Sequence, residues 1–250
     1  TVAKRNKVLV ELLNGVAQMP LFSADGINPD MFGDAYEYLM GMYAANAGKK
    51  GGQYFTPADV SELLARLGTI GKTKVNKVYD PACGSGSLLL KVEKVLGKEN
   101  IERGFYGQEI DLTTYNLCRI NMFLHNIEFD KFSIVREDTL LSPQHGDDQP
   151  FELIVSNPPY ICTDEIAKLM PEVRDFEPME ALDGKEDGLY FYRKIIGQCK
   201  QYLNPEGHLL FEIGYDQGQK VSALMREIGF HDVQVIKDLA RKDRVVTGML

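Results

Sequence analysis

Val75-Asn76-Lys77-Val78-Tyr79-Asp80-Pro81-Ala82-Cys83-Gly84-Ser85-Gly86-Ser87 is a strand, a glycine turn and the start of a helix. Val75 to Tyr79 reads as a strand and Ser87 to Leu96 as a helix. The two glycines between them let the backbone turn tightly and approach a ligand closely. A dinucleotide fingerprint would place a third glycine at position 89, where this chain has leucine, so a pyrophosphate cofactor is disfavoured. Asp80, just ahead of the turn, suits a positively charged ligand group such as an α-amino group better than a phosphate.

Outward from this unit the pattern alternates. Strands are expected at Gly104–Gln108, Phe132–Arg136, Phe151–Ser156, His208–Ile213, Val233–Lys237 and Arg244–Thr247. Helices are expected at Leu112–Asn126, Gly188–Leu203 and Asp216–Ile228, with a long acidic connection before the second of these. Such alternation predicts an α/β fold, a Rossmann-like, doubly wound, mostly parallel sheet covered on both faces. The last two strands are joined by too few residues for a parallel crossover, so an antiparallel edge strand is expected. Residues 1–70 read as a small helical N-terminal appendage, including an apolar face from Met31 to Ala47 and a glycine-containing loop over 51–57. Thr56-Pro57 looks like a helix cap followed by proline at the first helical position. The chain opens inside a helical pattern without an initiator methionine, as a piece cut from a longer chain would. Residues 71–250 form the main domain.

Two carboxylates extend the ligand site. Glu109 ends the second strand, close to the ~20-residue spacing at which an acid after the glycine turn reaches ribose hydroxyls. Asp138, after the third strand, could accept a bond from an adenine amino group. Ribose, adenine and an amino-acid head without pyrophosphate spell S-adenosylmethionine. Ser156-Asn157-Pro158-Pro159-Tyr160 then closes the fourth strand. Its prolines stiffen a loop at a strand's C-terminal edge, where open α/β sheets hold ligands. Asn157, the freed Pro158 carbonyl and the Tyr160 ring suit a planar group bearing an NH2, two acceptors taking its hydrogens while the ring stacks on its face. Alone, the same residues are a Pro-Pro turn after a strand, and Glu109 a solvated loop acid; the order in which they recur favours the site.

Of 250 residues, 44% are apolar and 26% charged, as in ordinary globular domains, and no apolar run reaches the roughly 18 residues of a membrane span. The N-terminus lacks a signal-peptide layout. Four cysteines lie far apart with no CxxC pair, which suggests reduced thiols in a cytoplasmic protein and no metal site. The net charge of −8 is unlike the basic face of a self-sufficient duplex binder, so action on DNA would need a partner.

Two families are resembled. From about Asp34 to Tyr160 the chain resembles the methylation subunit of type I restriction-modification systems, an adenine-N6 DNA methyltransferase. Gly51-Gly52-Gln53-Tyr54-Phe55-Thr56-Pro57, Asp80 to Ser87, Gln108-Glu109, Asn121 to Asn126 and Asn157-Pro158-Pro159-Tyr160 carry that resemblance. From Asn157 onward it resembles the methyltransferase of the release-factor glutamine. Pro171 to Pro178, Ala181-Leu182-Asp183-Gly184, Glu186 to Leu189, Phe211 to Gly218 and Asp243 to Gly248 carry the second. The chain thus reads as a hybrid, a class I methyltransferase whose two family halves meet near residues 151–160. The first resemblance implies that Thr56, Asp80, Gly84, Glu109 and Asp138 bind S-adenosylmethionine, with Tyr54, Phe55, Ala82, Gly86, Ile110, Thr139 and Asn157 completing the set. Asn157, Pro158 and Tyr160 would hold the target nitrogen.

Both parent reactions move a methyl group to a planar nitrogen whose lone pair is delocalised. Positioning and placed dipoles would supply most of the gain. No general base is assigned, since the proton becomes acidic as the new bond forms; His125 and His145 read as surface residues. Residues 164–187 carry nine acids against Lys168, Arg174 and Lys185, which suits a basic protein loop better than phosphates. The cofactor half points to adenine, which ranks first by a small margin, with DNA reached through a separate specificity subunit. The alternatives are the glutamine of a release factor, and a chimera that binds the cofactor but has no productive substrate site.

Overall fold

The structure is a computed structural model that describes residues 56, 58–175 and 177–250, with residues 10, 11, 14, 32, 33 and 35–39. Most of the expected N-terminal appendage, with Tyr54 and Phe55, lies outside the described residues. Within it, residues 32, 33 and 35–39 are helical, as the Met31–Ala47 pattern predicts.

The elements follow in the order α1 (Ala58–Gly68), β1 (Val75–Asp80), α2 (Ser87–Leu96), β2 (Ile101–Glu109), α3 (Leu112–Leu124), β3 (Phe132–Arg136) and β4 (Phe151–Ser156). Three single-turn helices come next, α4 (Thr163–Ile166), α5 (Pro171–Arg174) and α6 (Met179–Leu182), inside the acidic connection. The chain closes with α7 (Tyr190–Cys199), β5 (Leu203–Glu212), α8 (Gly218–Glu227), β6 (His231–Lys237) and β7 (Asp243–Met249).

Seven strands form one sheet in the order β3-β2-β1-β4-β5-β7-β6. The first five are mutually parallel, and β7 runs antiparallel to both β5 and β6. The closing pair is antiparallel, as its short connection requires, and β7 inserts between β5 and β6. The winding direction reverses between β1 and β4, which opens a crevice at the C-terminal ends of those strands.

Successive strand residues serve opposite faces, because side chains alternate across the pleat. Val78, Leu153, Val155, Leu210 and Val245 pack with Leu64 of α1 and Leu89 of α2 on one side. Tyr79, Ile154, Leu209, Phe211 and Val246 pack with Tyr192 of α7 and Val221 of α8 on the other. Strand β4, where the two family resemblances meet, is bonded to β1 on one edge and β5 on the other. Residues from before and after it share each core. A single cooperative thermal transition is therefore expected by calorimetry; two separate transitions, one for residues before and one for residues after about 155, would contradict it.

Four strands begin earlier than the pattern predicts, β6 and β7 only slightly and β2 and β5 by more. In β2 the register shifts between the Val75–Ile101 and Lys77–Gly104 pairs. Gly104 holds φ +98 there, and a Cβ on it would collide with the Lys131 carbonyl oxygen. In β5 the register shifts between Phe151–Leu203 and Leu153–His208, across Pro205 and Gly207. Both irregularities interrupt the apolar alternation by which a strand is recognised.

Candidate active site

Each of the five parallel strands ends on a polar side chain or delivers one in the next residue: Asp80 on β1, Glu109 on β2, Glu137 after β3, Asn157 after β4 and Glu212 on β5. All five line one cleft of about 1040 Å³. Thr56, Ala82, Gly84, Ile110, Asp138, Thr139, Pro158 and Tyr160 line it as well. The sequence therefore brings together nearly all of its candidates among the described residues.

The β1–β2 end is built from carboxylates holding backbone. Asp80 is buried, and its Oδ1 accepts from the Ala82 N–H at 3.0 Å. Burial pushes its carboxyl up to about 7, against the pull of the Ala82 N–H, while Glu109 adds to the rise. Glu109 clamps two turns at once: Oε2 accepts from Gly84 N–H at 3.0 Å and Oε1 from Asp111 N–H at 2.8 Å. Burial raises its pKa as well, opposed by those same amides. Gly84 has φ +55, and a Cβ on it would meet nothing within 4 Å, so its backbone faces open cleft. Asp138 Oδ1 accepts from Leu140 and Leu141 N–H, and the Thr139 hydroxyl donates to the Pro81 carbonyl. These bonds join the loops after β1 and β3 into one wall.

Gly86 does not line the cleft; with φ +84, its missing side chain makes room for α3, since a Cβ would meet Cys118 Sγ at 2.8 Å and Met122 Cε at 3.1 Å. It is a packing glycine at the start of α2. The histidines differ from expectation: His125 and His145 are both buried rather than surface residues. His145 bonds Asp148 Oδ2 through Nδ1 at 2.8 Å and the Gly107 carbonyl through Nε2 at 3.0 Å. His125 Nδ1 meets the Asn121 carbonyl at 2.9 Å. Neither lines the cleft.

At the β4–β5 end, Asn157 Nδ2 donates to Thr56 Oγ1 at 3.2 Å, leaving Oδ1 as the amide's acceptor. Tyr160 is half-buried, and burial pushes its phenol up to about 12. The loop is held from behind by Gln217, a buried residue that sequence reasoning did not single out. Its Nε2 donates to the Tyr160 carbonyl at 2.9 Å and to the Gly188 carbonyl at 3.2 Å, while Oε1 accepts from Gly214 N–H at 3.0 Å. Gly184 packs on the same segment, where a Cβ would lie 2.8 Å from Tyr160 Cα. Val173, Glu177, Glu180 and Asp183 of the acidic connection complete this side of the cleft. Glu212 and Arg244 were also missed; the available signal was an acid ending an apolar strand, the same signal that marks Asp80 and Glu109.

The strand order, the switch between β1 and β4 and the row of strand-end polar groups are those of the class I S-adenosylmethionine-dependent methyltransferase fold. A solved type I restriction-modification methyltransferase subunit from Streptococcus thermophilus superposes with a TM-score of 0.62 at 23% identity, over 92% of this chain and 51% of that one. The family model for N-6 DNA methylases matches residues 27–202, and the chain belongs to that family. A type I restriction enzyme methylase subunit from Mycoplasma pneumoniae is 49% identical over 185 residues, which is 70% of this chain and 34% of that protein. A release factor glutamine methyltransferase from Clostridium botulinum is 40% identical over 192 residues, 76% of this chain and 66% of that protein. The chain thus spans about a third of the first relative's length and about two thirds of the second's. The double resemblance holds, and the second match is longer than the whole stretch 151–250, so it reaches upstream into the half shared by both families.

Proposed function

We propose that the chain transfers a methyl group from S-adenosylmethionine to a planar NH2, with adenine N6 in DNA as its first substrate. The carrying observation is the Asn157 amide, tethered by its nitrogen to Thr56 with its oxygen left as an acceptor, beside Tyr160 on one cleft with Asp80 and Glu109. Asp80 would take the cofactor's α-amino group, Glu109 its ribose hydroxyls, and Asp138 its adenine amine. Gly84 leaves room for close approach, and Ala82, Ile110, Thr139, Tyr54, Phe55 and Thr56 would enclose the rest. Asn157 Oδ1 and the Pro158 carbonyl would accept the two hydrogens of the target nitrogen, aiming its lone pair at the methyl carbon while Tyr160 holds the plane. The family model and the Mycoplasma pneumoniae relative support adenine. With a net charge of −8, duplex DNA would be engaged through a separate specificity subunit.

A second reading, a glutamine carboxamide on a protein loop, is favoured by one observation: the acidic connection forms the wall beyond Asn157, through Glu177, Glu180 and Asp183. Label transfer from marked cofactor decides between them when DNA with a type I specificity subunit and a release factor are offered in parallel. Label in DNA upholds adenine, label in the protein gives the site to the carboxamide, and label in neither overturns methyl transfer to both.

The Asp80 assignment carries a pH dependence. A cationic amino group binds the ionised carboxylate, so affinity rises as pH climbs through about 7 and falls in acid. Calorimetric titration of cofactor across that range checks the sign, and a flat profile would remove Asp80 from the amino-group site.

A further inference from the structure

One buried carboxylate in the cleft takes no part in holding the cofactor or the target nitrogen. Glu212 is 3% exposed and lines the cleft, yet its Oε2 has no hydrogen-bond partner among the described residues. Leaving such an oxygen unpaired in the interior is costly, because its lost hydration is not replaced. Its place is informative. Ser156 pairs with Phe211 in the β4–β5 ladder, so the next residues along, Asn157 and Glu212, leave neighbouring strands side by side, about 4.8 Å apart.

The charges around Glu212 are unbalanced. Its Oε1 is 3.7 Å from Arg244 Nη1, but Arg244 also gives Nη2 to Asp238 Oδ2 at 3.2 Å. Asp59 of α1 faces it as a further negative charge, and the phenols of Tyr160 and Tyr192 approach from the proline loop and α7. One guanidinium is shared between two carboxylates, with Asp59 a third negative charge beside Glu212. That corner favours a positive centre beside Asn157, where a methyl sulfonium would approach and a nitrogen would become cationic.

We propose that Glu212 is a catalytic carboxylate whose Oε2 takes the proton shed by the target nitrogen. The proposal rests on the methyl-transfer reading and holds for either substrate. The nitrogen lone pair forms the N–C bond as the C–S bond breaks, its electron pair staying on sulfur. One N–H proton passes to Oε2 and leaves to solvent with the products. A sulfonium and a carboxylate thereby become a thioether and a carboxylic acid, so both buried charges cancel. A weak base is sufficient, because the methylated nitrogen is strongly acidic.

The test needs no turnover. Calorimetry compares two cofactor analogues: S-adenosylhomocysteine, which is neutral at sulfur, and the analogue bearing a primary amine in place of the methylated sulfonium. Above neutral pH the parent should bind the amine at least about tenfold more tightly, a charge-assisted bond's worth. That preference should shrink toward parity as pH falls through about 7, where burial has pushed the Glu212 carboxyl. The Asp80 interaction is common to both ligands and cancels in the ratio. In Glu212→Gln the ratio should stay near parity at every pH. A parent ratio that does not change with pH overturns the proposal whether or not the variant folds, as does a variant that keeps the parental preference. Failure of both analogues to bind removes the cofactor reading, and this proposal with it.

Discussion

Glu109→Ala is expected to weaken S-adenosylmethionine binding by about 1–3 kcal/mol, roughly fivefold to a hundredfold in Kd. Two losses would combine. The ribose hydroxyls would lose a charged acceptor, and the Gly84 and Asp111 N–H groups would lose the oxygens that fix their turns. Because Gly84 lies on the cleft wall, releasing its turn also loosens the cradle for the amino-acid part. Glu109→Gln separates charge from shape. An amide offers one oxygen, so one of the two backbone N–H groups would face its NH2, and affinity should fall there too, by less than in the alanine variant. Calorimetry on parent and both variants checks this, and unchanged affinity in Glu109→Ala would end the assignment.

Where the apolar alternation is unbroken, the fold could be read directly. Strands β3 and β4 and helix α2 have the bounds their patterns predict. Where a glycine bulge or a proline interrupts the pattern, at Gly104 and at Pro205 to Gly207, only the part beyond the interruption was legible. The small helices of the acidic connection escaped because four residues hold too little of a helical period to be recognised. Insertion of β7 between β5 and β6 is likewise a choice of partner, which local sequence does not encode.

The site was legible for a related reason. A polar residue ending an apolar strand has a known address, the sheet's C-terminal edge, and Asp80, Glu109 and Asn157 all proved to share one cleft. The packing of Gly86 was not legible, because a glycine needed for ligand approach and one needed for helix packing look alike in sequence; the contact with Cys118 and Met122 is made by residues distant along the chain. His145 sits among polar neighbours in the chain and His125 at a helix end, and the burial of both follows from long-range packing, for His145 with the Gly107 carbonyl as a partner. Gln217 acts through the Tyr160 carbonyl, a contact between segments far apart in the chain.

Asn157→Ala should abolish methyl transfer, by a factor on the order of a hundred or more, while leaving cofactor affinity within about twofold of the parent. The amide's nitrogen is committed to Thr56 Oγ1, so its oxygen is the part that can aim a substrate nitrogen. Losing it leaves Asp80 and Glu109 untouched, and the cost falls on the reacting geometry. Tyr160→Ala should act in the same direction but more mildly, because stacking fixes the plane without directing the lone pair. A purely structural Asn157 predicts the reverse pattern. Its side-chain bond ties the proline loop to Thr56, two residues before α1, and if that tether were its whole role, its loss would lower melting temperature and cofactor affinity together. Melting temperature, cofactor affinity and transfer measured on the same variant separate the two. Intact affinity with lost transfer supports positioning, joint loss of stability and affinity supports the tether, and a variant with parental turnover would end the positioning role.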